Sequence, residues 1–279
     1  MTESANAQQI EYWNGPVGER WASRPGDIDR NLTRLTAALM AFAAPKPGER
    51  VLDLGCGAGT TALMLAHAVA PGGTVTGIDI SAPMLQTARR RAEDAGVPVE
   101  FIEADASAHP FAPRYDLAMS RFGVMFFADP AAAFANIRGA FRPGGRLAFV
   151  TWRPFPENVW ACAPYRAAEH LLPQQPAPDP FAPGPFAFAD PDRVKGILTR
   201  SGFRDVKIEK LDTTLNMGPT PEHAAKEALM VGPLAKAAFD LPDDQRAKIQ
   251  KVVEERVKEF ATPEGITPPA ACWLVGARA

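Results

Sequence analysis

From position 51 to 152 short apolar runs alternate with longer stretches whose apolar residues recur every three or four positions. The runs are Val51 to Leu54, Thr74 to Ile80, Val99 to Ala106, Asp116 to Phe122 and Arg146 to Trp152. Runs of this kind mark strands buried on both faces of a sheet. Thr61 to Val69, Met84 to Ala95 and Asp129 to Phe141 carry the helical period between them. Ser81 before Pro83, Asp129 before Pro130, Asp190 before Pro191 and Thr220 before Pro221 signal helix starts. The alternation stops at 153–189, where prolines crowd in; its second half is expected as an ordered loop over the site or a flap. Order returns with a helix carrying Val194, Ile197 and Leu198, ended by Gly202. Val206 to Met217 is expected as a sixth strand, 220–261 as two helical patterns, and Cys272 to Ala277 as the last strand. Ile249, Val252, Val253, Val257 and Phe260 share one face of the second pattern. Upstream, Tyr12, Trp13 and Trp21 precede a helix expected over Leu32 to Phe42.

Gly55-Cys56-Gly57-Ala58-Gly59 follows an acid set inside the first strand, with glycine at every second position. Such a backbone comes close to something, and side chains at 55, 57 or 59 would occupy a ligand's space. The second and third strands also end in acids, Asp79 and Asp105. Open parallel sheets bind ligands outside the carboxyl ends of their strands, so Asp53, Asp79 and Asp105 are expected around one elongated molecule. The dinucleotide fingerprint needs glycine at 60, where Thr60 stands, and no Gly-Lys-Ser/Thr follows for a P-loop. An acid at Asp53 with no positive group in the loop suits a cationic ligand better than a pyrophosphate.

With these residues, and with Arg142-Pro143-Gly144-Gly145-Arg146-Leu147 leading into the fifth strand, the chain resembles the class I S-adenosylmethionine-dependent methyltransferases. Within them it looks most like the ubiquinone/menaquinone-biosynthesis group that methylates small molecules. The resemblance implies an α/β fold: a Rossmann-like seven-stranded mixed sheet, last strand antiparallel, helices on both faces, and a helical lid insertion. It divides the chain into an aromatic helical cap (1–45), a cofactor core (46–152), the proline-rich loop (153–189) and the rest of the core (190–279), with lid helices at about 220–261. It implies S-adenosylmethionine as cofactor and S-adenosylhomocysteine as product. Gly55, Cys56, Gly57 and Gly59 would meet the methionine moiety, with Asp53 near its amino group. Asp79 would take both ribose hydroxyls, Asp105 the adenine amino group, and the Ala106 amide a ring nitrogen. Ile80 and Met84 would sandwich the adenine, Met84 being equally at home in a core. Ser120 would lend backbone near the methionine end, and Trp21 and Tyr12 are candidate lids.

Methyl transfer from a sulfonium asks mainly for alignment and desolvation. A general base matters only where the acceptor keeps its proton. His109, Arg121 and Tyr12 are the catalytic candidates; His67, His170 and His223 have no nameable partner. Arg121 has three readings: an acidic acceptor, the cofactor carboxylate, or an ion pair with an acid such as Asp129. Phe122, Met125, Phe126 and Phe127, joined by Phe155, Trp160, Phe181, Phe186 and Phe188, point to an aromatic or lipophilic acceptor. The attacked atom, O, N or C, stays open. The rival readings are a cofactor-binding protein of this fold without transfer, and an arsenic methyltransferase. The latter needs converging thiolates, which Cys56, Cys162 and Cys272 do not suggest.

Net charge −2 over 279 residues offers no footprint for nucleic acid. No apolar run approaches the roughly 20 residues of a membrane span. Three widely spaced cysteines argue for a reducing compartment and against a metal site, and the polar start carries no signal-peptide pattern. A cytoplasmic enzyme is expected, its partner a small-molecule acceptor. The amphipathic lid pair also suits a homodimer contact.

Overall fold

The computed structural model describes residues 6–174 and 179–279. The terminus Met1 to Ser4, and Pro176 and Pro178, lie outside the described residues. Three helices, α1 (Ala7–Asn14), α2 (Pro16–Ser23) and α3 (Pro25–Ala43), lead into β1 (Arg50–Leu54). The alternating core follows: α4 (Thr60–Val69), β2 (Thr74–Asp79), α5 (Ala82–Ala95), β3 (Glu100–Glu103), β4 (Tyr115–Arg121), α6 (Pro130–Arg138) and β5 (Phe141–Trp152). Then come α7 (Val159–Ala168), α8 (Pro191–Arg200), β6 (Arg204–Thr214), α9 (Pro221–Ala228), α10 (Pro233–Ala237) and α11 (Asp243–Val257). A small hairpin, β7 (Ala261–Thr262) and β8 (Gly265–Ile266), precedes β9 (Pro269–Arg278).

Seven strands form one sheet in the order β3-β2-β1-β4-β5-β9-β6. β1 to β5 pair in parallel, and β9 runs antiparallel between β5 and β6. Leu52, Leu54, Ile78, Leu117 and Phe149 are fully buried, as strands covered on both faces require. Helices α3, α4 and α5 cover one face, and α6 and α8 the other. Asp129, Asp190 and Thr220 cap their helices by accepting backbone N–H groups. Ser81 sits at the start of α5 but does not cap it; its hydroxyl donates to the Trp13 carbonyl at 2.6 Å. Among the described residues no helix is long and apolar enough to cross a membrane.

Three expectations change. The proline-rich stretch holds a full helix, α7, with Pro164 inside it. Pro164 forfeits one helical hydrogen bond. Burial of Trp160, Ala161, Cys162, Ala163 and Ala168 against neighbouring elements outweighs that loss. Residues 179–189 pack partly into the core. Phe188 packs between Phe134 and Phe149, and the Gly184 N–H bonds the Met125 carbonyl at 3.1 Å. The 220–261 segment has three helices instead of two, because Gly232 in the left-handed region and Pro233 break the first pattern.

Candidate functional site

The glycine loop hangs from the neighbouring strand. The Gly55 and Cys56 N–H groups donate to the Ile78 carbonyl, and the Gly57 N–H donates to Asp79 Oδ2 at 2.8 Å. Gly55, Gly57 and Gly59 have φ of +65°, +53° and +85°, a region that L side chains avoid. What a side chain would strike is protein. A Cβ on Gly55 would lie 2.8 Å from Gly123 Cα, on Gly57 2.6 Å from the Met84 methyl, and on Gly59 2.9 Å from Ala88 Cβ. The glycines therefore let the loop press onto α5 and the β4 end, while Gly55 keeps an exposed backbone. Met84 is buried beneath that loop, and Cys56 is buried against Gly77, its thiol pushed up by burial. The other two cysteines are also free and buried, in α7 and β9, and burial raises the Cys272 thiol. Neither shifted group tends towards the thiolate an arsenic site needs.

The three acids stand at adjacent strand ends, as the sequence predicted. Asp79 Oδ1 accepts the Ser81 N–H at 2.9 Å, so both its oxygens are held by backbone with further lone pairs to offer. Desolvation raises its pKa against those bonds. Asp53 is 0% exposed. Its Oδ2 accepts the Thr61 hydroxyl at 2.6 Å, while Oδ1 is buried without a hydrogen-bond partner. Burial pushes its carboxyl up to about 7 despite that bond and nearby Arg121. Asp105 accepts from the Asn6 side chain at 2.9 and 3.0 Å and from the Ser107 N–H at 2.8 Å. Ala106 is buried, its carbonyl taking the Asn136 side chain; the Ile80 carbonyl takes Asn14 at 2.8 Å.

Arg121 does not pair with Asp129, which is occupied as the α6 cap. Its acid is Asp29 of α3, at 3.9 Å, and its Nη1 donates to the Thr36 hydroxyl at 2.8 Å. Asp29 also accepts from Thr60 at 2.5 Å and from Arg91 at 2.7 Å, and Arg91 holds the Ala58 carbonyl at 2.9 Å. Asp29, Thr36, Thr61 and Arg91 were missed from sequence. Arg91 left one signal: it falls seven residues after Met84, on the buried face of α5. Ser120 is buried and donates its hydroxyl to the Leu54 carbonyl at 2.8 Å, tying β4 to β1 below the loop.

Beside this lies an aromatic wall. Phe122, in the left-handed region at φ +65°, stacks on Trp152 at 4.2 Å and 11°, and Trp152 leans on Trp160 at 4.8 Å. Trp21 and Phe126 both stand edge-on to Trp13 under α1 and α2, at 5.8 and 5.3 Å. Of the other catalytic candidates, Tyr12 joins this group, edge-on to Trp13 at 5.4 Å. Tyr12 is 43% exposed on α1, and burial of its hydroxyl end raises its pKa. The His109 ring contacts Phe111 edge-on at 4.8 Å. His223 Nε2 is buried without a hydrogen-bond partner, 3.8 Å from Glu227 Oε1 one turn along α9. Glu227, 3% exposed, also pairs with Arg24 and accepts from Asn31 at 3.2 Å.

Comparison with known proteins bears on this edge of the sheet. Residues 51–145 match the family described as "Methyltransferase domain". The chain is 35% identical to the demethylmenaquinone methyltransferase of Thermus thermophilus over 61% of this chain and 80% of that one. It is 33% identical to the aklanonic acid methyltransferase of Streptomyces sp. strain C5, over 53% and 70% respectively. The fold is shared with Haemonchus contortus phosphoethanolamine N-methyltransferase 2 in complex with S-adenosyl-L-methionine. That match has a TM-score of 0.54, 18% identity, and covers 88% of this chain and 52% of that one.

Proposed function

The chain belongs to the class I S-adenosylmethionine-dependent methyltransferases, and we propose that it methylates an oxygen, nitrogen or carbon atom of a small aromatic or lipophilic acceptor. S-adenosylmethionine is its cofactor and S-adenosylhomocysteine its product. The residues at the strand ends fit that molecule. Asp79 is pre-set by two backbone N–H groups to accept a ribose diol, and the orphaned, buried Asp53 Oδ1 suits an ammonium. When bound, the cofactor supplies a methyl group already activated for in-line displacement. Gly55, Gly57 and Gly59 would bring backbone to the methionine moiety; Asp105 with Ala106 would face the adenine edge, and Ile80 and Met84 its ring. Cys56 would shape the loop through its packing, Ser120 would hold β4 against it, and Trp21 would close the cap.

The observation that carries the acceptor reading is the Phe122–Trp152 stack at the carboxyl ends of β4 and β5. Flat aromatic surface with few polar groups favours a planar or lipophilic partner. Neither His109 nor Tyr12 stands as a poised base, so orientation and exclusion of water supply most of the acceleration.

Parallel calorimetric titrations with S-adenosylmethionine, S-adenosylhomocysteine and NAD test the site. Binding of the two sulfur nucleotides but not NAD is expected; NAD alone would overturn every residue role above. A turnover panel of aromatic and quinone-like acceptors, with demethylmenaquinone and aklanonic acid included, then tests the substrate class. A tight cofactor complex that methylates none of them would favour the rival reading of a binding protein.

A further inference from the structure

Arg20 is a cation without an acid. It stands on α2, where the N-terminal helices meet the α9–α10 region, and its Nη1 donates to the Met230 carbonyl at 3.3 Å. No carboxylate pairs with it among the described residues, whereas Arg24, one turn further along, pairs with both Asp27 and Glu227. A guanidinium has five donors, and one long bond to a carbonyl leaves most of them free.

Its surroundings are aromatic. The guanidinium lies 5.7 Å from the centre of the Phe239 ring, and its charge acts on the Tyr12 hydroxyl. Both rings are open to solvent, Tyr12 at 43% and Phe239 at 45%. From Tyr12 the aromatic surface runs inward. Tyr12 meets Trp13 at 5.4 Å, Trp13 meets Phe126 at 5.3 Å, and Trp21, next to Arg20 on α2, stands 5.8 Å from Trp13. Phe126 ends the short turn that follows β4, where Gly123 lies against Gly55 of the glycine loop. A row of rings thus starts beside that loop and ends at solvent on an unpaired cation.

A wholly apolar ligand laid along this row would desolvate the guanidinium without compensation, and a cationic one would be repelled. A ring system carrying an acid at its outer end covers the two open rings and supplies the oxyanion, in a geometry that a guanidinium fork matches. Burial raises the Tyr12 pKa, so its hydroxyl keeps its proton and has a second bond to give.

We propose that Arg20, with the Tyr12 hydroxyl, binds a carboxylate at the outer end of an aromatic acceptor. This rests on the reading of the chain as a methyltransferase of small aromatic acceptors. Arg20 selects and orients the acceptor, and no bond is made or broken at it.

Two probes of one shape isolate the charge: 2-naphthoate and 2-naphthamide. Each is titrated calorimetrically into the protein saturated with S-adenosylhomocysteine, and into its Arg20→Gln, Arg20→Lys and Tyr12→Phe variants, with folding checked by thermal melts. Naphthoate is expected to bind about 10-fold or more tighter than naphthamide, the scale of a charge-assisted bond. Arg20→Gln should abolish that preference with naphthamide binding nearly as before; Arg20→Lys and Tyr12→Phe should each keep part of it. Equal affinities for the two probes, or a preference that survives Arg20→Gln, overturns the proposal. Equal weakening of both probes by Arg20→Gln overturns it in favour of a tie between α2 and Met230. Binding of neither probe to protein that holds S-adenosylhomocysteine overturns the aromatic-acceptor reading as well. Failure to bind S-adenosylhomocysteine removes the cofactor site on which both rest.

Discussion

Asp79 holds the glycine loop through the Gly57 N–H and the start of α5 through the Ser81 N–H. On the proposed ribose role, Asp79→Ala is expected to weaken S-adenosylhomocysteine binding by about 2 kcal/mol or more, the two ribose contacts being lost. Titration of a folded variant checks this, and unchanged affinity would sink the ribose role. Asp53 predicts a pH effect whose sign follows from its raised pKa, about 7 when folded. Between the ordinary carboxylate range and about 7 the native state binds more protons at Asp53 than the unfolded chain does, so stability from this group falls as pH rises. Urea unfolding at pH 5 and pH 8 should show the wild type losing more stability than Asp53→Asn. Parallel losses would refute the assignment. These acids were legible because strand-end position is a property of the local run. Asp29 was not: its bonds to Thr60 and Arg91 reach 31 and 62 residues along the chain, and nothing local marks it.

Among the elements, the N-terminal helices and α9, the proposed cap and lid, meet at one buried acid. Glu227 of α9 is 3% exposed and paired with Arg24, where α2 turns into α3, and with Asn31 of α3. Removing one partner of a buried pair leaves an uncompensated charge. Arg24→Ala is expected to destabilise by about 3 kcal/mol, a fall of roughly 6–12 °C in Tm for a chain of this size. Adding Glu227→Gln should recover part of the loss by removing the orphaned charge. A single-variant shift below about 1 °C in a melting experiment would show that the pair carries no weight. The core strands and crossover helices were legible because their periods are long and regular. Helix α7 was not, since Pro154, Pro156 and Pro164 argue locally against it while its burial is decided by distant elements, α11 above all. Its start is set by Asn158, whose side chain donates to the Arg153 carbonyl at 2.9 Å and accepts the Ala271 N–H at 3.0 Å.

For the whole molecule, the N-terminal helices form a bridge between the ends of β2 and β3 and the α9–α10 region. At one end Asn14 holds the Ile80 carbonyl and the Ala82 N–H, the Trp13 carbonyl takes Ser81, and Asn6 reaches Asp105 and the Ala128 N–H. At the other, Arg24 meets Glu227, and Arg20 donates to the Met230 carbonyl at 3.3 Å and lies over the Phe239 ring. The aromatic half of this bridge, Tyr12, Trp13 and Trp21, stood out in the sequence by composition. Its polar grips did not, because asparagines and an arginine look like ordinary surface until their distant partners are known. A ligand held at the strand ends stabilises whatever opens with it, and about 100-fold excess over Kd slows such opening about 100-fold. Saturation with S-adenosylhomocysteine should therefore slow hydrogen exchange in α1 and α2 and, through Arg24 and Arg20, in α9 as well. Glu227→Gln weakens the second link while leaving the first intact, so protection should persist in α1 and α2 and fade in α9. If α9 of the unmodified protein exchanges at the same rate with and without the ligand, cap and lid open independently, and the bridge has no part in closing the site.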